Sequence, residues 1–110
     1  NIFGAGTDAN VFVQIWGPNG MLGGSEFNLD NSKNNFERNQ IDTFFVEFPV
    51  ERDCGTPVQK LVIELQNSAT LGSDWHLDWI EVADLTRNHT YKWRCNHWFS
   101  KKEGMKKEWS

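Results

Sequence analysis

Two cysteines in 110 residues are too few to form a disulfide framework. Cys54 sits in the turn-like run Asp53-Cys54-Gly55-Thr56-Pro57, and Cys95 closes an aromatic-rich segment. Both are expected to be free thiols, as suits a reducing compartment. Long apolar runs are also missing: no stretch approaches the roughly 20 residues that a membrane span requires. No signal peptide is recognisable and the chain starts at Asn1, so it is expected to be a segment of a longer protein. One-sided charge is absent as well. Eleven basic residues stand against fifteen acidic ones, a net charge of −4, and a nucleic-acid binder would normally be basic.

A sustained 3.6-residue apolar period is absent, which excludes long helices. No dense set of catalytic groups occurs either. Ser73, Asp74 and His76 offer nucleophile, acid and base types, but near neighbours leading into a strand point to alternate sides rather than converging. Asp74 and Asp78 resemble a glycosidase pair in type only, because so small a domain suggests no substrate cleft. His76, His89 and His97 lack metal spacing, and Cys95 with His97 has no second pair to complete tetrahedral zinc. An enzyme is therefore not expected.

What the chain does have is short alternating segments separated by turn residues. Val11, Val13 and Ile15 alternate with Phe12, Gln14 and Trp16, and Gly17-Pro18-Asn19-Gly20 follows as a turn. Ser25–Leu29 and Ile41–Val46 read as strands, and Pro49 and the Asp53–Pro57 run mark a loop. Val58–Gln66 puts Leu61, Ile63 and Leu65 on one face. His76–Leu85 is a strand with a broken period, which implies either a bulge or burial on both faces. Thr90–Cys95 alternates Tyr91 and Trp93 with Lys92 and Arg94. Short helical turns are expected near Phe36–Gln40 and Trp98–Lys102. About seven strands suggest an all-β, antiparallel two-sheet sandwich, with residues 1–110 as one domain.

Three polar connections stand out: Gly4-Ala-Gly-Thr-Asp-Ala-Asn10, Asp30-Asn-Ser-Lys-Asn-Asn-Phe-Glu-Arg38 and Asn67-Ser-Ala-Thr-Leu-Gly-Ser-Asp-Trp75. Oxygen-bearing groups concentrated in loops on a sheet scaffold suit binding. Lys92, Arg94, Lys101, Lys102, Lys106 and Lys107 read as a solvated C-terminal face or as a patch for anionic headgroups. Asn88-His-Thr90 matches a glycosylation acceptor, which matters only if the chain is secreted. Asp8 and Asp30 read as loop-orienting residues, Asp42 and Asp78 as strand-end anchors, and Trp79, Trp93 and Trp98 as core.

Taken in order, Gly4-Ala-Gly-Thr-Asp-Ala-Asn-Val11, Leu29-Asp-Asn31, Asn34-Asn-Phe-Glu-Arg38, Asp42-Thr-Phe44, Trp75-His-Leu-Asp-Trp-Ile-Glu-Val82, Tyr91 and Cys95-Asn-His-Trp98 resemble the PLAT domain. This is the lipoxygenase-homology β-sandwich, and the chain is most similar to the tandem repeats of the lipoxygenase-homology proteins of sensory stereocilia. The resemblance implies two packed four-stranded antiparallel sheets. The family's first strand precedes the Gly4–Asp8 turn, whereas this chain begins almost on that turn. An edge strand is therefore expected to be missing, its place filled by another copy through strand-mediated self-association or by a C-terminal segment.

The resemblance also implies a non-catalytic module, cytoplasmic and peripheral to membranes, that docks its parent protein to anionic lipids or to partner proteins. Some relatives bind calcium between the three polar loops. Carried over by position, the ligands are the Gly4 and Gly6 carbonyls, the Asn34 and Asp74 side chains, Asn35 and the Trp75 carbonyl. Such a mixture of oxygens suits calcium. Neutral Gly4 and Asn35 stand where calcium-binding relatives carry acids, which implies weak affinity or completion by lipid phosphate. Phe3, Leu71 and Trp75 are the candidate lipid contacts, although a tryptophan in so small a sandwich is more often core. A purely protein-binding scaffold repeat, without ion or lipid, is the alternative.

Overall fold

A computed structural model describes residues 2–4, 10–29, 40–66, 75–100, 102 and 104–110. Among these residues, nine strands form two antiparallel sheets: β1 (Ile2–Gly4), β2 (Asn10–Gly17), β3 (Gly20–Met21), β4 (Phe27–Asn28), β5 (Gln40–Asp42), β6 (Lys60–Gln66), β7 (Trp75–Asp84), β8 (His89–Phe99) and β9 (Lys106–Trp109). One sheet runs β5-β1-β7-β8; the other runs β3-β2-β6-β9, with β4 also pairing β2.

The period-two pattern of β2 decides which face is buried. Val11, Val13 and Ile15 point inward at 0–5% exposure, while Phe12, Gln14 and Trp16 are half-buried outside. β6 answers them with Leu61, Ile63 and Leu65, in an unbroken register from Asn10↔Gln66 to Trp16↔Lys60. From the other sheet, Trp75, Leu77, Ile80, Cys95 and Phe99 complete the core.

The irregular period of β7 reflects register shifts against both neighbours. Phe3 and Gly4, adjacent on β1, pair with Trp79 and Leu77, so β7 carries one extra residue, Asp78, against β1. Leu77 pairs with His97 but Trp79 pairs with Arg94, so β8 carries one extra residue there. Asn96, at φ 43°, absorbs it, and asparagine tolerates that left-handed conformation better than most side chains. Leu77 and Ile80 can thus both face the core. The bulge also lets β8 run on to Phe99, well past the expected Cys95.

Several expectations need correction. The first strand is present: β1 is only three residues long, yet it lies between β5 and β7 and pairs with both. Its place between β5 and β7 is filled by the chain's own Ile2–Gly4, and the C-terminal segment pairs with β6 in the opposite sheet as β9. Ile41–Val46 joins the ladder only as far as Asp42, because β5 has a three-residue partner. Beyond it, Phe45 is 73% exposed. Of the helical turn expected at Trp98–Lys102, Trp98 and Phe99 belong instead to β8, Ser100 bridges to Gly104, and Lys101 lies outside the described residues. Of the expected turn near Phe36–Gln40, residues 36–39 lie outside the described residues, and Gln40 opens β5. The basic residues are divided between the sheets, Lys92 and Arg94 on β8 and Lys106 and Lys107 on β9, and these two edge strands touch through His97 and Phe99 against Trp109.

Candidate functional site

The strand ends that carry the polar connections gather at one end of the sandwich. In one sheet Gly4 pairs with Gln40 on one side and Leu77 on the other, two residues from the start of β7 at Trp75. In the other, Asn10 pairs with Gln66, and the Leu29 amide donates to the Val11 carbonyl at 2.9 Å. The two sheets meet at this same end through a tight turn. Ser100 and Gly104 exchange backbone hydrogen bonds at 3.1 and 2.7 Å, and the next residue, Met105, accepts one from the Leu65 amide at 2.8 Å. Residues 5–9, 30–39 and 67–74 therefore all connect strand ends of this one end.

Of the candidate ligands, Gly4 is the last residue of β1 and Trp75 the first of β7. Gly6, Asn34, Asn35 and Asp74 lie outside the described residues, as do Asp8, Asp30 and Leu71. Phe3 belongs to β1, paired with Ile41 and Trp79. The Trp75 side chain is not a lipid contact. It is 1% exposed and packs against Phe99 with ring centroids 5.4 Å apart, so its indole is committed to the core. Among the described residues, no group of three or more His, Cys, Asp or Glu side chains is arranged to hold a metal. The candidate ligand types, carbonyl, amide and one carboxylate, are of the kind calcium takes.

Beside these ends, the Gln66 amide donates to Glu26 at 2.7 Å and to Glu64 at 3.1 Å. One donor thereby holds together an acid of β6 and one just before β4. Sequence reasoning missed the pairing because Glu26 and Gln66 lie forty positions apart.

The opposite end is closed by an ion cluster. Arg87, in the β7–β8 turn, donates to Asp84 at 2.8 Å and to both carboxylate oxygens of Asp53. Its guanidinium holds both carboxyls below the usual carboxylate range, and the backbone amides of Gly55, Thr86 and Arg87 deepen the effect. Nearby, Gly17 approaches Cys54 so closely that a Cβ would strike the Cys54 carbonyl, and the Asn19 amide donates to that oxygen at 2.8 Å. Both cysteines are free and buried. Desolvation pushes the Cys54 thiol up, and pushes Cys95 up to about 12.

On the open face of the β5-β1-β7-β8 sheet, Trp98 is 50% exposed, which corrects its reading as core. Its ring tilts against His76 at 4.8 Å, and His76 Nε2 meets Asn96 Oδ1 at 3.0 Å. Lys92 sits over Trp79 at 5.0 Å. Asp78 is no strand-end anchor, because it lies within β7 beside the bulge. Trp93 does pack against the core.

The PLAT/LH2 domain model matches residues 1–109. The chain belongs to the PLAT/LH2 family. It is 40% identical over 104 residues to the human Lipoxygenase homology domain-containing protein 1, covering 94% of this chain but only 5% of that protein. Phospholipase C of Clostridium novyi is 30% identical over 98 residues, 89% of this chain and 24% of its own length. Crystal structures of an internally deleted LOX superpose with a TM-score of 0.75 at 22% identity, over 94% of this chain and 14% of that one, which supports the fold. This PLAT domain therefore spans a small part of each of these relatives. Among its described residues, no helix is long and apolar enough to cross a membrane.

Proposed function

We propose that this PLAT domain is a non-catalytic docking module that holds a larger cytoplasmic protein against anionic membrane, with calcium strengthening the attachment. The reading rests on one observation: the ends of β1, β2, β5, β6 and β7 that bear the oxygen-rich loops lie at the same end of the sandwich. Gly4, Gly6, Asn34, Asn35, Asp74 and the Trp75 carbonyl would hold the ion there. A bound calcium supplies positive charge that anionic headgroups complete. With the Trp75 indole withdrawn into the core, Leu71 and Phe3 are left as the apolar contacts. Donors with a single carboxylate make the ion site weak on its own.

The test is co-sedimentation with vesicles of phosphatidylserine and phosphatidylcholine, with calcium and with chelator. Calcium-dependent binding that Asp74→Ala removes, without a change in the metal-free melt, supports the reading. Binding indifferent to both chelator and Asp74→Ala overturns the ion's part. Absence of vesicle binding in either condition favours a scaffold that docks proteins, for which half-exposed Trp98 beside His76 is the supporting observation.

A further inference from the structure

Among the described residues β8 is the longest strand, eleven residues, and stands at the end of its sheet. On one side it pairs with β7 along its whole length; among the described residues no strand pairs with the other side. An unpartnered edge offers a row of backbone donors and acceptors to any extended chain that fits it. The stretch that can be used is bounded. From Asp84↔His89 to Trp79↔Arg94 the register is unbroken, and the bulge at Cys95 and Asn96 ends it. Six residues of regular edge, His89 to Arg94, remain.

Their side chains specify what would sit beside them. Thr90, Lys92 and Arg94 point outward and are exposed, whereas Tyr91 and Trp93 point toward the sheet interior and are half-buried. Residues 89–99 contain no acid, although the whole chain is net negative at −4. Lys92 lies over Trp79 and pairs in register with Glu81 on β7. Arg94, set opposite Trp79, makes no ion pair with any described residue. On the inward side, Tyr91 and Trp93 stack at 6.3 Å and lie along this edge.

We infer that the His89–Arg94 edge of β8 takes up an extended acidic peptide as an added strand of the sheet. Acids two residues apart in the guest fall opposite Lys92 and Arg94, and the alternate apolar residues cover Tyr91 and Trp93. Directly opposed side chains on neighbouring strands interact most strongly, so this pattern sets the guest's register. A second β8 is the wrong guest. Two copies pairing antiparallel would bring Lys92 and Arg94 against like charges, which is destabilising. This surface lies along a sheet edge, separate from the loop end, and requires neither calcium nor lipid.

The experiment is fluorescence anisotropy of the intact chain, without calcium or vesicles, using three labelled octapeptides. One alternates valine with glutamate, one valine with lysine, and one proline with glutamate. The valine–glutamate peptide should bind saturably. The valine–lysine peptide should bind at least about tenfold more weakly, and so should the proline–glutamate peptide, which keeps the charge but lacks every second backbone donor and cannot run as a regular ladder strand. Arg94→Glu, at an exposed position, should leave the melt unchanged and erase the preference for the glutamate peptide over the lysine one, since Lys92 remains beside the new acid. Equal binding of the proline–glutamate peptide would reduce the interaction to bulk charge attraction and overturn the inference. So would unchanged binding by Arg94→Glu, absence of binding by all three peptides, or concentration-dependent dimers in place of peptide uptake.

Discussion

The two sheets share one core but differ in what they leave open. In the β3-β2-β6-β9 sheet, β2 and β6 keep register over seven pairs, and even outward-facing Val62 is only 3% exposed. Its outer surface is tied down by Trp16 Nε1 on Gln14 at 2.9 Å, by Lys60 over Trp16 at 4.5 Å and by Lys60 near Glu108 at 3.8 Å. The β5-β1-β7-β8 sheet has a three-residue inner strand, a bulge, a half-exposed tryptophan and a long edge that no described strand pairs. One sheet is the frame and the other is the surface. The lesson is that a sandwich this small can place stability and recognition in different layers.

Truncations should separate the layers. Ile63→Ala, at a fully buried position of the frame, is expected to cost about 2–5 kcal/mol in urea unfolding. Gly17→Ala comes next, at about 1–3 kcal/mol, because the rigid Cys54 carbonyl cannot move aside for a methyl group. Arg87→Ala should lower Tm by a few degrees at neutral pH and remove part of the acid limb of the stability curve. Since Arg87 depresses the folded-state pKa values of Asp53 and Asp84, its stabilisation is complete above the ordinary carboxylate range. It disappears as pH falls below about 4 through those depressed values. In the variant, stability should fall less between neutral pH and pH 3. Trp98→Ala should be the mildest, below about 1 kcal/mol, because half of the side chain already meets water. A Trp98→Ala cost equal to that of Ile63→Ala would break the contrast between frame and surface.

The frame was the more legible layer in the sequence. Period-two alternation marks β2 and β6 because each has one dry face, and hydrophobicity reports burial. The irregular period of β7 signalled an anomaly without saying which, since the extra residues, Asp78 on β7 against β1 and one on β8 against β7, show only in the pairing. β9 escaped notice because Lys106-Lys107-Glu108-Trp109 is an edge strand with three exposed residues and a single partly buried tryptophan. Family resemblance carried the fold, as the PLAT/LH2 match confirms, but it could not tell a core indole from a lipid-facing one. Trp75 shows why: both roles use the same residue type, and only its packing on Phe99 decides. The Arg87 cluster was hidden for another reason, since it joins Asp53 to a turn thirty-four positions away.

The deep placement of the two thiols makes this domain convenient for spectroscopic tagging. Maleimide and nitroxide reagents attack the thiolate, which burial denies to Cys54 and Cys95 while the protein remains folded. A cysteine introduced at exposed Ala83 would take the label by itself, leaving the native sequence otherwise intact.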